Sequence, residues 1–422
     1  MNRRRWLFHG VLAVAALPAH AAEQPARPDP SAERADISLV AARDAAVRQA
    51  PDIALARDRL EIARAQVDVA GALTNPTVTL STARETARLG TGLSLPMPLF
   101  GRRATAVTAA RADSDAAGLE VEATRYEARW NATLAWLDLW EAQERARLLS
   151  AAAGDAERVA TIASEKFNAG SAPRVEVLRT AADRERARAD AALAAAIVPA
   201  AAARLTIVIG TSADGREWAA SGKADLALAD ADLSALQKGV VDHPILRLDR
   251  ARIAAGAAHV RAEQRARWPV VAADVTVNWR DPTLPATDVI GGISLEAPVL
   301  SLRGGAIARA RAEQRLAQTT AELEQRRLAA ALVDALGRAT GAGARSRTLV
   351  NSVLPALEEV WRMNEEGYRD GRVDLLRLLD AQRARLETRI AVVDAEAAWE
   401  RALADVERAA GVSLREGAAG AH

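Results

Sequence analysis

The chain has 422 residues, enough for two or three ordinary domains, so length sets no limit on its core. Hydrophobic residues make up 50% but aromatics only 3%, and Ala, Arg, Glu and Leu dominate, as in long helices and coiled coils. Fifty-six basic residues balance 55 acidic ones, so no bulk field favours nucleic acid, and the lack of Cys excludes disulfides, thiolate metal sites and a lipidated N-terminal Cys.

Residues 1–21 have the form of a secretory signal: basic Arg3–Arg5, an apolar run over Trp6–Leu17, and the small-residue pattern Ala19-His20-Ala21. No later run is expected to reach the roughly 18 apolar residues of a spanning helix. An exported chain of this kind belongs in the periplasm or in a β-barrel. Residues 22–36 are Pro-rich and polar and are expected to form a mobile lead-in.

Residues 37–209 form the first of two expected repeats. A helix is predicted from Ile37 to about Thr74, reopening at Pro51 and stopped by Asn75-Pro76. Thr77–Thr82 alternates apolar Val78 and Leu80 with Thr77, Thr79 and Ser81; after a polar turn at Arg84–Arg88, Leu89–Leu95 returns. That is a β-hairpin. Pro96 and Pro98, in GLSLPMPLFGRR, are expected to end the second strand. From Arg103 to Lys166 nothing breaks a helix, with Leu119, Tyr126, Trp130, Leu134 and Leu137 as its expected seam. Phe167-Asn168-Ala169-Gly170 forms a tip, Ser171 is the expected cap of the next helix, with Pro173 in its first turn, and that helix continues to Ile209.

Residues 210–233 punctuate the chain, and the plan then repeats over 234–410. Pro244 and Pro269 follow Pro51 and Pro76 by 193 positions, Gly292 follows Gly92 by 200, and Gly371 follows Gly170 by 201. Four landmarks in one order mark a tandem duplication. Val271–Trp279 and Val289–Glu296 alternate as a second hairpin, the latter leading through GISLEAPVLSLRGG into a second long helix, Arg303–Gly367. Its expected stripe is Leu349, Val353, Leu357 and Val360, with Gly341 and Gly343 as points of local loosening. Tyr368-Arg369-Asp370-Gly371 is the second tip, Asp374–Ala410 the return helix, and 411–422 a frayed tail.

Four strands cannot close a transmembrane barrel, which needs about eight. Their alternation asks for an apolar outside and a polar inside carrying Thr77, Thr79, Ser81, Ser94, Asp274, Thr276, Asn278 and Glu296. A symmetric oligomer would meet both demands, and elementary physics leaves two, three or four copies open. Trp268 and Trp279 bracket the third strand, either as membrane-interface aromatics or as ordinary packing at a helix–strand junction.

The doubled plan, the two strand-to-helix segments, and the tips FNAG and YRDG before VEVLRTA and LLRLLDAQ resemble the TolC family of outer-membrane efflux proteins, most closely its CzcC-like cobalt–zinc–cadmium resistance branch. The resemblance implies a mainly α chain of long antiparallel helical hairpins that trimerises into a 12-stranded outer-membrane β-barrel and a periplasmic α-helical tunnel. It implies an exit duct for divalent heavy-metal cations, docked to a periplasmic adaptor (a membrane fusion protein) and an inner-membrane RND-type pump. By the same resemblance Phe167, Asn168, Ala169 and Gly170, with Tyr368, Arg369, Asp370 and Gly371, are adaptor-docking tips. Asp380 matches the family's acidic constriction, and Asp374 is a neighbouring gate candidate; Arg377 stands where the family often carries an acid. The plain alternatives are that Asp374 caps its helix and that Asp380 pairs with Arg377 or Arg383. Drug export or type I secretion through the same architecture is the nearest rival, and a soluble periplasmic coiled-coil scaffold the rival from another class.

No catalytic constellation, metal site or cofactor site is expected. His9 and His20 leave with the signal and His422 is terminal; His243 precedes Pro244 at a helix start, where it caps or packs, and His259 stands apart. Gly304-Gly305 lacks the Gly-x-Gly-x-x-Gly context of a phosphate loop.

Overall fold

The structure, a computed structural model, describes residues 34–82, 89–211, 216–222, 236, 239–279, 287–298 and 302–412. The signal, most of the lead-in, the Arg84–Arg88 turn and the tail beyond 412 lie outside the described residues. A short strand β1 (Ala35–Ile37) leads into α1 (Leu39–Gln49) and α2 (Pro51–Gly71). The hairpin β2 (Thr77–Ser81) and β3 (Leu89–Met97) follows, then the long α3 (Arg102–Asn168) and α4 (Arg174–Ile209). Next come β4 (Trp218–Ala220), α5 (Pro244–Ala266), the hairpin β5 (Val270–Trp279) and β6 (Asp288–Glu296), and α6 (Gly304–Thr348). A π turn at Leu349–Val353 separates α6 from α7 (Leu354–Arg369), and α8 (Leu375–Ala410) returns from the second tip.

Several boundaries follow directly from residue chemistry. Pro51 opens α2 because its missing N–H falls where no helical acceptor exists. Gly210, at φ 71°, closes α4 in the left-handed region. Other expectations fail for stated reasons. Ala35 and Asp36 lie in β1, not in a mobile lead-in, because β1 pairs in parallel with β4 and Trp136 Nε1 donates to the Ile37 carbonyl at 2.9 Å. Strand β3 runs through Pro96 to Met97, with Pro96 opposite Ala272. Ser171 does not cap α4; its hydroxyl donates to the Lys166 carbonyl at 3.0 Å and finishes α3, while Pro173 takes the N-cap position.

The single seam expected along α3 does not form. Of its five residues only Leu137 is buried, and most of the side chains that vanish into the core are alanines, with Trp136 and Leu139. The reason is that α3 is central: α1, α2, α4, α5 and α8 all pack on it, so several faces need small side chains for close approach. The stripe expected in the second long helix fails differently. The π turn adds a residue, the phase shifts, and Val360 is exposed while Trp361 is buried. Gly341 and Gly343 stay helical, and Gly343 leaves room for the Trp399 indole. The C-terminal part of α4 corrects a third expectation, since by length and composition it is apolar enough to span a membrane, with mean hydropathy 2.1.

Four apolar clusters hold the helices together. One surrounds Trp136, another joins Leu332 and Leu403, a third sits near the tips, and a small one lies about Leu248. His243 ties the start of α5 to the end of α8. Its Nδ1 accepts from Ile245 N–H, so Nε2 carries the proton and donates to the Arg408 carbonyl at 2.8 Å. Tyr126 meets the ring edge-on at 5.2 Å between centroids. Burial pushes the imidazole below its ordinary range, against the Arg408 carbonyl and the carboxylates of Glu127 and Glu324. Below a pH of about 6.5 the unfolded imidazole takes up a proton that the folded one resists, so unfolding free energy is expected to drop as the pH is lowered below that value and to be level above it. Urea titrations between pH 5 and 7.5 check this, and His243→Asn is expected to flatten the slope.

Candidate functional site

Two regions concentrate the polar chemistry: the sheet at one end and the hairpin tips at the other. The sheet has the order β2-β3-β5-β6, all antiparallel, so the two hairpins join through β3 and β5. Register puts Thr77, Ser94, Asp274 and Gly292 in one row, and Thr79, Gly92, Thr276 and Ile290 in the next on the same face. Ser81, Gly90, Asn278 and Asp288 form a third row, and Glu296 lies on that face opposite Val270. Gly92 leaves room for its cross-strand neighbour: a Cβ there would meet Thr79 Oγ1, and that hydroxyl would have to turn away. The Ser94 and Ser294 hydroxyls donate to the Asp274 carboxylate. The opposite face is apolar and bare, with Val78, Leu80, Val289, Ile293 and Leu295 all exposed.

Trp268 and Trp279 stand at the two ends of β5, both partly exposed. Trp268 stacks on Phe100 at 5.5 Å, and Trp279 Nε1 donates to Thr91 Oγ1 at 2.8 Å. Ten residues of β5 span roughly 33 Å along the strand, or about 25 Å of height at a 40° tilt.

The tips lie side by side. Gly170 and Gly371 take φ 75° and 77°, which lets each chain reverse. In the first tip Gly170 N–H donates to the Phe167 carbonyl at 2.9 Å; Asn168 ends α3, Ala169 is its cap, and Phe167 is exposed. In the second, Arg372 N–H donates to the Gly367 carbonyl at 2.7 Å, Arg369 ends α7, and Asp370 pairs with Arg372. Tyr368 is buried rather than presented to a partner.

Sequence reasoning missed what fastens the tips to each other. Lys166 Nζ donates to the Tyr368 carbonyl at 2.5 Å and sits 4.3 Å from the ring centroid. The Tyr368 hydroxyl donates to Glu176 Oε2 at 3.0 Å. Burial and the Glu176 carboxylate push this phenol well above its usual range, so it remains a donor. Higher up, buried Arg385 pairs with Asp155 at 2.6 Å and stacks over Trp361. Only the repeat offset hinted that residues some 200 positions apart would meet. Tyr368→Phe is expected to cost the tip about 0.5–1.5 kcal/mol, the net worth of one hydrogen bond. Faster amide exchange around residues 166–176 and 367–374, with an unchanged global melting point, would be its signature.

Of the two acidic candidates, Asp374 caps α8, its carboxylate accepting from Arg377 N–H at 2.9 Å. Asp380 is exposed and pairs with neither Arg377 nor Arg383 among the described contacts. No group of three or more His, Cys, Asp or Glu suited to a metal occurs among the described residues.

A two-faced β-sheet is thus carried on helical hairpins, the longest helix of which, α3, runs roughly 100 Å, with fastened tips at the far end. Residues 42–211 match the family model described as outer membrane efflux protein. The chain is 24% identical over 360 residues to the cobalt-zinc-cadmium resistance protein CzcC of Cupriavidus metallidurans, covering 84% of this chain and 85% of that one. Its fold is similar to that of CusC, with TM-score 0.75 at 17% identity over 92% of this chain and 98% of that one. The Campylobacter jejuni CmeC outer membrane channel is similar at TM-score 0.74 and 15% identity, covering 90% and 88%.

Proposed function

We propose that three copies of the chain close into a twelve-stranded barrel, continued by a helical tunnel, that passively conducts divalent heavy-metal cations outward. The observation that carries the reading is the sheet. Its edge strand β2 has neither charge nor proline to keep a partner away, and its apolar face is bare along its whole length. Pairing β2 of one copy with β6 of the next removes both edges, turns the apolar face to lipid and lines the lumen with Asp274, Thr276, Asn278 and Glu296. Trp268 and Trp279 then lie at the two membrane interfaces.

The tips, Phe167–Gly170 and Tyr368–Gly371, meet a periplasmic adaptor, and an inner-membrane RND-type pump drives transport. Asp380, exposed and without an ion pair among the described residues, is the better gate residue; Asp374 is engaged by its helix. The metal cargo is supported by the likeness to the cobalt-zinc-cadmium resistance protein. A soluble scaffold would leave the apolar sheet face in water.

Two measurements test this. The detergent-purified particle is expected to have three times the chain mass, and a stable monomer with its sheet folded on its own helices would overturn the duct. A deletion strain is expected to be sensitised to zinc and cobalt; sensitisation to dyes alone would overturn the cargo and keep the duct.

A further inference from the structure

We propose that the π turn at Leu349–Val353, together with Pro355, is a hinge that lets α7 and the second tip swing relative to α6. The proposal rests on the duct reading above and adds to it the point at which the wall bends. Leu354 N–H reaches back five residues to the Leu349 carbonyl. Pro355 has no N–H, and in a regular α-turn its ring would crowd the carbonyl four residues before it, that of Asn351. The wider turn, which is what one extra residue in a helix produces, relieves that crowding at the expense of ladder hydrogen bonds. By contrast α3, which also descends from the sheet, runs 67 residues without a break. One descending helix is a continuous strut and the other is jointed.

Packing differs above and below the joint. Above it, α6 rests on both α5 and α8, with Leu328, Leu332 and Ala335 buried. Below it, α7 rests chiefly on α8. The side of α7 toward α3 borders a groove of about 500 Å³, with Trp140 and Leu148 on one wall and Leu354 and Glu358 on the other. Among the described residues that groove is open beside α7. Asn351 and Ser352 are exposed, so none of the described residues covers the outer side of the turn. At the far end the second tip is held to the first by the Lys166–Tyr368 and Tyr368–Glu176 hydrogen bonds, which are breakable. Glu358 bonds Arg389 at 2.6 Å and lies 3.6 Å from Arg385, so the pivot sits beside the buried Arg385–Asp155 pair.

The test uses the full chain as purified, in planar bilayers, and exploits its lack of cysteine. Spin labels at Asn168→Cys and Asp370→Cys report the separation of the tips. Tyr368→Phe removes the Tyr368–Glu176 half of the fastening and is expected to raise the ratio of high- to low-conductance states about fivefold, the equivalent of about 1 kcal/mol, and to broaden the label distances. Deleting Asn351 together with Pro355→Ala removes the extra residue and restores the ladder while keeping the downstream helix face in phase. In that straightened background the same release is expected to move the ratio less than about twofold, with narrow label distances. An equal fivefold response would overturn the hinge and leave the duct untouched. If the straightened chain does not assemble, Pro355→Ala alone keeps the chain length and is expected to damp the response part-way; no damping would overturn the hinge. Absence of any conductance from the unaltered chain would count against the duct, and the label distances would still decide the hinge.

Discussion

Replacing Glu407 by alanine is expected to lower stability by about 3–5 kcal/mol, because it strands a buried guanidinium without its counter-ion. Arg43 reaches Glu407 Oε2 at 2.7 Å, and the two side chains are only 8% and 10% exposed. Arg43 Nε also donates to Thr133 Oγ1 at 2.7 Å, and the Tyr126 hydroxyl donates to the Glu407 carbonyl. One residue pair thus ties α1 and α8, from the two ends of the chain, to α3 at the centre. The double variant Arg43→Met with Glu407→Leu is expected to recover most of the loss, since two apolar groups of similar size leave no charge to desolvate. Chemical unfolding midpoints of the detergent-purified protein check both. Equal losses in the single and double variants would show that packing, not charge, holds this junction.

The second large effect separates the two faces of the sheet. Val275 and Thr276 are neighbours in the middle of β5, with Val275 on the bare apolar face and Thr276 on the polar one. In the proposed barrel Val275→Arg puts a cation into lipid near the midplane, and is expected to destabilise by about 2–4 kcal/mol and reduce the yield of folded oligomer. Thr276→Arg puts the same charge into the water-filled lumen. Folding is expected to be kept while conductance for cations falls, since a ring of positive charge repels them. Heat-modified gel mobility and single-channel recording distinguish the outcomes. If both variants assembled equally well, the assignment of faces would be wrong.

Much of this architecture was legible in the order of residues because the signals are local. Alternation over Thr77–Ser81 and Val271–Trp279 has a period of two and needs nothing beyond the strand itself. Helices without breakers continue, so the end of α4 at Ile209 could be read from Gly210. The duplicated proline and glycine landmarks carried the repeat, and the tip glycines took the left-handed backbone that their positions required. Where sequence reading went astray, a distant partner was the cause. Local pattern makes Ile37 the start of a helix, whereas its strand is fixed by pairing with β4, almost two hundred residues later. The predicted seam of α3 serves one neighbour, whereas five helices and β4 pack on it. The stripe in the second long helix assumed an unbroken 3.6-residue period that the π turn interrupts.

The candidate sites divide in the same way. Asp374 as a helix cap is a three-residue motif, and that plain alternative to a gate is what its geometry follows. The Lys166–Tyr368–Glu176 fastening and the Arg43–Glu407 pair join positions that are far apart in the chain, and no local pattern marks them.

By itself the amino-acid order determined which segments are strands, which are long helices, where the two tips turn, and that the plan occurs twice. Those properties come from backbone conformation and side-chain period, which act over a few residues. Only the tertiary structure decided that the two hairpins join through β3 and β5 into one sheet, that α3 stands at the centre, that Tyr368 faces inward to lock the tips, and that the second long helix is jointed. Those outcomes depend on which surfaces meet across hundreds of residues, and the free energy of such meetings is set by shape and charge on both sides at once.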